Sequence, residues 1–319
     1  MTRNRLGIFA ASLAGLLLAP AIPAPAAAAP GPAPLRIMPL GDSITVGVGS
    51  PGKNGWRADL QSRLRDAGVR TDFVGSQREG TTGDRDHEGH GGWTIERLAG
   101  IVDESLAAAK PDVVLLHAGT NNITRADNPL AAARKLSDLI DQIRTGAPRA
   151  EIYVATIVGT TVASEVAANQ AYNTLIPAIV AQKDAQVHLV GQSTVAGLDI
   201  YDRHHPNEFG YRKMAHNWYQ AMRRTTHPQW PTTVNPYRAR KANLCHARSR
   251  TQRECRTWNL RRVIVSRTDG RTVTENRWQT TRTFHEQVRT WVPGHHKKRT
   301  WVPGRYETQT RKVNRWSDF

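Results

Sequence analysis

Between residues 35 and 225, short apolar segments rich in β-branched residues alternate with longer segments of helical periodicity. The short segments predict strands at 35–40, 69–75, 112–117, 151–157 and 187–191. The segments between and after them predict helices at 56–67, 94–109, 129–145, 164–183 and 207–224. Strands that alternate with helices pair in parallel and are covered on both faces. The sequence therefore predicts the α/β class, as a three-layer α/β/α sandwich with a central parallel sheet.

A hydroxyl group follows the first predicted strand directly, in the turn Gly41-Asp42-Ser43. Ligand and catalytic groups of open α/β sheets collect at the carboxyl ends of strands. A serine alone is a weak nucleophile, and it needs a base, an orienting acid and donors to an oxyanion. Asp202 and His205 are three residues apart, close enough for the carboxylate to fix the imidazole within one turn. The candidates for nucleophilic catalysis are therefore Ser43, Asp202 and His205.

Two further segments carry candidate oxyanion donors. Gly89-His90-Gly91-Gly92-Trp93 is a loop where a backbone N–H can approach a ligand closely, and Gly119-Thr120-Asn121 follows the strand predicted at 112–117. In chain order the blocks read Gly-Asp-Ser, Gly, Gly-Thr-Asn and Asp-x-x-His-Pro. This series resembles the four signature blocks of the GDSL, or SGNH, hydrolases over residues 35–225. The resemblance implies the same three-layer fold.

The resemblance also implies a role for each matching residue. Ser43 would be the nucleophile, His205 the general base and then acid, and Asp202 the group that orients His205. The oxyanion donors would be the backbone N–H groups of Ser43 and Gly92 and the side-chain amide of Asn121, each contributing about 3–4 kcal/mol. Trp93, beside the Gly92 donor, is a candidate for substrate binding by stacking on a sugar ring. Ordinary packing under the loop is the alternative for Trp93.

Two positions depart from the family pattern. Asn122 stands where the third block usually has Asp, which puts the hydrogen bonding behind the oxyanion donors in question. Arg203 stands where the last block usually has Gly, and we expect it to crowd the site and add positive charge. The neighbouring His204 is expected to be an exposed loop residue, because the Asp-x-x-His spacing and the following Pro206 select His205.

The first 28 residues read as a secretory signal peptide. Arg3 and Arg5 precede an apolar run of 13 residues at 6–18, and a small-residue site follows at Ala26-Ala27-Ala28. The apolar run is too short to span a bilayer. We therefore expect a secreted, extracellular protein, for which the cell wall is one candidate location, with no transmembrane segment after processing. An uncleaved membrane anchor is the alternative.

Charge divides the chain into two parts. Residues 1–231 contain 23 Lys and Arg against 21 Asp and Glu, whereas residues 232–319 contain 21 against 6. We therefore predict a catalytic domain at 29–231 and a basic C-terminal module at 232–319. Cys245 and Cys255 both lie in the basic part. In an exported chain they predict one disulfide, with two free thiols as the alternative.

The basic part has the composition of a small β-rich module. Residues 262–274 predict a hairpin with an Asp-Gly turn. Residues 289–294 and 299–304 both read Arg-Thr-Trp-Val-Pro-Gly and resemble repeats in bacterial envelope proteins. Anionic wall polymers or glycans are the expected partners. Nucleic acid fits the charge but not the compartment, so none is expected, and a basic appendage without a ligand is the alternative.

Metal or cofactor chemistry is not expected. The run at residues 84–90 contains carboxylate and imidazole groups but fits neither a calcium loop nor a zinc-binding helix. We predict that it forms a polar loop that shapes the acyl or sugar pocket. The pair His295-His296 beside Lys297-Lys298 is predicted to be a basic turn.

These features together predict a secreted serine esterase that works through an acyl-enzyme on Ser43. The residues around Ser43 and Gly92 resemble the bacterial carbohydrate acetylesterases, which include acetylxylan esterases. That resemblance implies removal of acetyl groups from a polysaccharide. A secreted lipase or lysophospholipase is one alternative, and a cell-wall-binding protein with a vestigial hydrolase domain is another.

Overall fold

The computed structural model describes residues 33–239, 241–247, 252–266, 272–298 and 300–313, with side chains in 33–239, 289–298 and 300–309. The predicted signal peptide at 1–28 lies outside these residues. Among the described helices, none combines the length and the apolar character needed to cross a membrane.

A mostly parallel sheet forms the centre of residues 33–239. Its strands are β1 (Leu35–Gly41), β2 (Thr71–Phe73), β3 (Gln77–Arg78), β4 (Asp86–Gly89), β5 (Val113–His117), β6 (Glu151–Ala155) and β7 (Val187–Val190). On one side β1 pairs in parallel with β5, which continues to β6 and β7. On the other side β2 pairs with the first half of β1 and β4 with its end. Only β3, on β4, is antiparallel among these strands.

Helices cover both faces of this sheet. They are α1 (Ser43–Val46), α2 (Arg57–Asp66), α3 (Ile95–Ala109), α4 (Thr120–Thr124), α5 (Pro129–Gly146), α6 (Val166–Val180) and α7 (Glu208–Thr225). The buried side chains of α3, α5 and α6 form one core, and those of α2 and α7 form the other. Every helix and strand predicted for residues 35–225 is present, with ends that differ by no more than three residues. The predicted three-layer α/β/α class is confirmed.

Strand β5 shows why its sequence is continuously apolar. Val114 and Leu116 belong to the core under α3, whereas Val113 and Leu115 belong to the core under α7. All four are at most 2% exposed. Burial of a Val or Leu side chain stabilises the fold by about 1.5–3 kcal/mol relative to exposure, so both faces of this strand favour apolar residues.

A buried arginine holds α1 against the rest of the fold. The Arg57 guanidinium, with the residue 1% exposed, donates to the backbone carbonyls of Thr45, Val46, Lys53, Glu79 and Arg85 at 2.7–3.2 Å. Burial lowers the pKa of Arg57 to about 10, so it stays charged at neutral pH. Five carbonyl partners compensate for the loss of hydration of this charge.

The prediction of a polar loop at residues 84–90 is wrong, because Asp86–Gly89 is strand β4. Glu88 is buried there, and its carboxylate accepts from the Ser76 backbone N–H at 2.7 Å and the Ser76 hydroxyl at 2.9 Å. His87 is also fully buried, and its Nδ1 accepts from the Gly89 N–H at 3.0 Å. Burial and the nearby Arg57 charge lower the pKa of His87 from 6.5 to about 3. Within the described part of the chain, no group of His, Cys, Asp and Glu converges to hold a metal ion.

The basic C-terminal part contains antiparallel strands. They are β8 (Lys241–Ala247), β9 (Gln252–Ser266), β10 (Thr272–Val292), β11 (His295–Lys297), β12 (Thr300–Val302) and β13 (Arg305–Val313). Strands β8, β9, β10 and β13 form one sheet, and β11 pairs with β12.

Three predictions fall in this C-terminal part. Strands β9 and β10 form the predicted hairpin, from Ser266 opposite Thr272, while its Asp-Gly turn lies outside the described residues. The basic turn predicted at His295-His296 is wrong, because these residues begin strand β11. The backbone register of β8 and β9 places Cys245 opposite Cys255, and the disulfide between them stays a prediction.

Candidate active site

The end of β1 places Ser43 at the edge of the sheet. Gly41 ends the strand, and a Cβ atom there would lie 2.2 Å from the His117 carbonyl oxygen, so no other residue fits without movement. Asp42 then caps helix α1, because its side chain accepts from the Ile44 N–H at 2.9 Å. Ser43 is the first residue of that helix.

The three predicted catalytic residues form one chain of hydrogen bonds. The Ser43 hydroxyl lies 2.9 Å from His205 Nε2, and His205 Nδ1 lies 2.8 Å from Asp202 Oδ2. Ser43 and His205 are 162 residues apart in the sequence. The acid and base come from residues 201–205, a loop closed by the Tyr201 N–H, which donates to the His205 carbonyl at 2.7 Å. The fold therefore joins the candidate nucleophile near one end of the α/β segment to the candidate acid and base near the other.

The Asp202 carboxylate is held in its ionised form. Its Oδ1 accepts from the backbone N–H groups of Arg203, His204 and His205. Burial by itself raises the pKa of Asp202, but the hydrogen bonds from the His205 ring and from the backbone N–H groups of His205 and His204 outweigh it and hold the pKa well below the usual range. A carboxylate fixed in this way keeps the proton of the neutral imidazole on Nδ1 and leaves Nε2 free to accept from Ser43.

His204 does not point freely into solvent, contrary to the expectation from the sequence. Its Nε2 lies 2.6 Å from the carboxylate of Glu165, and both side chains are about one-fifth exposed. The Thr160 hydroxyl donates to the same Glu165 oxygen at 3.0 Å. Glu165 gave no signal in the sequence, since it lies 39 residues from His204 and outside every motif.

Backbone contacts from the same region hold the loop at 201–205. The Thr161 N–H donates to the Arg203 carbonyl at 2.9 Å, and the Thr161 hydroxyl donates to the Asp202 carbonyl at 2.9 Å. Arg203 itself is exposed, so its backbone rather than its side chain enters this network. The expected crowding of the site by the Arg203 side chain stays a prediction.

The three predicted oxyanion donors differ in their present partners. Within residues 33–239, the N–H groups of Ser43 and Gly92 have no acceptor. Gly92 has φ +77°, which favours glycine. The Asn121 amide donates to the Trp93 carbonyl at 2.9 Å and makes only a long contact, 3.4 Å, with Asp42 Oδ2. The second amide hydrogen of Asn121 is therefore the one available to an oxyanion.

The Trp93 ring already has two partners in the protein. The His90 ring is stacked on it at 4.0 Å between centroids, and the Arg97 guanidinium lies 4.5 Å from its centroid. Trp93 also packs against the core under α3. These contacts give Trp93 a packing role, and stacking on a sugar stays a prediction.

Asn122 organises the start of helix α3. It is 2% exposed, and its Oδ1 accepts from the Ile95 N–H at 3.0 Å. Its amide donates to Glu96 at 2.9 Å and to Asp127 at 3.1 Å, and Lys135 forms ion pairs with both carboxylates. Burial by itself raises the pKa of Glu96, but the hydrogen bonds from Lys135 and Asn122 outweigh it and lower that pKa to about 2. An amide suits this position because it both donates and accepts.

Comparison with known proteins places this geometry in a family. The model of the GDSL-like Lipase/Acylhydrolase family matches residues 40–213. A "Multidomain esterase" of Ruminococcus flavefaciens is 28% identical over 251 residues, a match that covers 67% of this chain and 31% of that protein. The chain thus spans under a third of the length of that relative.

Two solved structures have a similar fold. A family 3 carbohydrate esterase of Clostridium thermocellum is 36% identical, with a TM-score of 0.56, over 62% of this chain and 100% of the other. An acetyl esterase mutant with an acetate ion is 27% identical, with a TM-score of 0.50, over 61% of this chain and 95% of the other. Because the family model covers more than half of the chain and all the candidate catalytic residues, the chain belongs to the GDSL-like lipase/acylhydrolase family.

Proposed function

We propose that this protein is a serine esterase that removes acetyl groups from a polysaccharide through an acyl-enzyme on Ser43. The observation that carries the proposal is the continuous chain of short contacts from Asp202 through His205 to Ser43, at 2.8 and 2.9 Å. Family membership and the names of the relatives support the reaction class.

Each residue of this hydrogen-bonded series has a defined part in the reaction. Ser43 Oγ attacks the ester carbonyl carbon while His205 Nε2 takes its proton. The Asp202 carboxylate stabilises the imidazolium that forms. His205 then gives the proton to the alcohol oxygen as the carbon–oxygen bond breaks, which leaves the acyl group on Ser43. Water attacks the acyl-enzyme with His205 again as base, and the acid and free Ser43 are released.

Two backbone donors are available for the tetrahedral intermediate. The Ser43 and Gly92 N–H groups have no acceptor within residues 33–239, so an oxyanion would gain their hydrogen bonds without breaking others. Asn121 would add its second amide hydrogen and keep its bond to the Trp93 carbonyl. Loss of one such donor typically costs about 2.7–4 kcal/mol of transition-state stabilisation.

A groove beside the catalytic loop is lined by hydrogen-bonding side chains together with the apolar Val166 and Ala196, and its polar part supports a carbohydrate substrate. Thr160, whose hydroxyl lies 3.2 Å from the Arg203 carbonyl, belongs to the lining of this groove. The other polar residues of the lining carry amide or hydroxyl groups: Asn169, Gln170, Asn173, Thr174 and Ser193. Neutral hydrogen-bonding groups suit a hydroxylated polymer, whereas an acyl chain requires an apolar channel.

The same proposal includes export and processing. Removal of residues 1–28 would leave the catalytic domain at 29–231 and the basic module at 232–319 outside the cell, where Cys245 and Cys255 would form a disulfide. The opposed register of the two cysteines supports this pairing. N-terminal sequencing of protein from the culture medium, with thiol titration of the same sample, tests both parts.

The esterase proposal is tested with nitrophenyl esters of increasing acyl length and with acetate release from acetylated xylan. We expect the highest kcat/KM on the acetyl ester and a measurable release of acetate from the polymer. Ser43→Ala is expected to lower kcat by more than about 10³-fold with little change in Tm, and the control Ser62→Ala, on helix α2, to leave both unchanged. Preference for long acyl chains would favour a lipase. An inactive native protein would indicate a vestigial site.

A further inference from the structure

The two Trp-Val-Pro-Gly repeats form a paired unit. Trp291 lies at the end of β10, and Trp301 lies in β12. A Cβ atom on Gly304 would lie 2.4 Å from the Trp291 ring, and one on Gly294 would lie 2.5 Å from the Trp301 ring. Each ring is therefore packed against the glycine of the other repeat. We call these four residues the tryptophan pair.

Each ring of the tryptophan pair also has an aromatic neighbour on the opposite strand. Trp291 pairs in register with Tyr306, and their ring centroids are 5.0 Å apart at 61°. Trp301 pairs in register with His296, also at 5.0 Å and at 62°. The two halves thus repeat the same packing, with a glycine and an aromatic edge fixing each indole.

Despite these contacts, the rings are largely accessible. Trp291 is 52% exposed, Trp301 57% and Tyr306 60%. Most large aromatic side chains of residues 33–239 are buried, as Trp56 and Trp218 are. Exposed aromatic groups that lie together in this way form an accessible apolar patch, which is typical of a binding surface.

The surroundings of the tryptophan pair are cationic. The exposed basic residues are Arg289, Lys297, Lys298 and Arg305. The Arg289 guanidinium lies 5.1 Å from the Tyr306 ring centroid. Between 289 and 309 the only acidic residue is Glu307, and it is paired with Arg305 at 2.6 Å. Such a surface attracts an anionic polymer.

We infer that the tryptophan pair and its basic neighbours bind an acidic polysaccharide, with the indole faces against sugar rings and the cations against carboxylates. The choice of a polysaccharide over other polyanions rests on the proposed function. A second site for the same class of polymer would raise the local concentration of substrate at the catalytic site. The tryptophan pair and its basic neighbours include none of the candidate catalytic residues, so polymer binding at this surface can be measured independently of esterase activity.

The test measures binding of the full chain to polygalacturonate by affinity electrophoresis, with neutral xylan and duplex DNA as comparison polymers. We expect the native chain and Ser43→Ala to bind polygalacturonate equally and more tightly than either comparison polymer. The double variant Trp291→Ala/Trp301→Ala is expected to weaken binding at least tenfold, and Trp291→Phe/Trp301→Phe to restore most of it. Rising salt is expected to weaken the native interaction without abolishing it, because only the charge contribution is screened.

Matched controls separate this surface from general effects. Val234→Ala removes an apolar side chain that is 83% exposed in another region, and Arg65→Ala removes an exposed cation from helix α2. Both are expected to bind like the native chain. Unchanged binding by the double alanine variant, or tighter binding to DNA than to polygalacturonate, would overturn the inference. An active esterase that binds no polygalacturonate would overturn the inference but leave the esterase proposal intact.

Discussion

Replacing Asp202 by Asn tests whether the carboxylate acts through the tautomer of His205. In the native chain Asp202 Oδ2 accepts from His205 Nδ1, while Oδ1 accepts from three backbone N–H groups. The Asn oxygen would keep the backbone contacts, so its NH₂ group would face Nδ1. The imidazole would then carry its proton on Nε2, the atom that must accept from Ser43.

The size of the effect follows from this geometry. A triad with the wrong imidazole tautomer loses about 10⁴-fold in kcat, which corresponds to about 5.4 kcal/mol of barrier. Asp202→Asn is expected to show this loss on nitrophenyl acetate with a small fall in Tm at neutral pH, because the amide keeps the backbone contacts but not the charge. Asp202→Ala is expected to lower Tm further, because it also leaves the backbone N–H groups without their acceptor. An Asn variant that retains more than about a tenth of native kcat would refute the reasoning.

The same variant has a signature in stability against pH. The pKa of Asp202 in the folded chain lies below its value in the unfolded chain, about 3.9. The carboxylate therefore contributes stability above that pH, and the contribution is lost as the pH falls through the folded pKa. The difference in unfolding free energy between native and Asp202→Asn proteins is expected to shrink below about pH 4. A constant difference down to pH 2 would contradict the assignment.

Three further outcomes are expected. His205→Ala abolishes turnover whereas His204→Ala keeps most of kcat, because only His205 contacts Ser43; the reverse pattern in kcat would contradict the assignment. Asn122→Asp lowers the free energy of unfolding by about 1–3 kcal/mol at neutral pH, because its two hydrogen bonds to carboxylates become repulsions. Thermal unfolding is expected to show that this decrease becomes smaller as the pH is lowered. Burial lowers the pKa of His87 from 6.5 to about 3, so the native free energy of unfolding is expected to fall as the pH drops from 6.5 towards 3. His87→Gln is expected to flatten this dependence in urea titrations, and an unchanged slope would contradict the burial argument.

Local pattern was sufficient to predict most of the α/β segment. The apolar runs that form β1 and β5 are buried on both faces, and helix α3 buries Ile95, Leu98 and Val102 at helical spacing. Strand β4 was not predictable in this way. Its residues include the buried His87 and Glu88, which accept hydrogen bonds from the backbone N–H groups of Glu79 and Ser76 outside the strand.

The candidate site shows the same limit. Ser43, Asp202 and His205 stand in motifs, so the sequence alone predicts that they converge. Glu165 has no motif, and its contact with His204 exists only because two distant loops meet. The mutual packing of Trp291 and Trp301 on the glycines of opposite repeats likewise depends on register between strands, which repeat spacing does not specify.

The distance along the chain between Ser43 and His205 has a consequence for folding. Strand β1 and helix α1 form from neighbouring residues, whereas the contact of Ser43 with His205 closes a loop of 162 residues. Contacts of such sequence separation form late, because their loop-closure entropy must be offset by structure already in place. A nascent or partly refolded chain would place Ser43 at the end of β1 long before His205 reaches it. Return of activity after denaturation is therefore expected to lag behind return of helical signal, and it would mark the moment at which the two ends of the α/β segment meet.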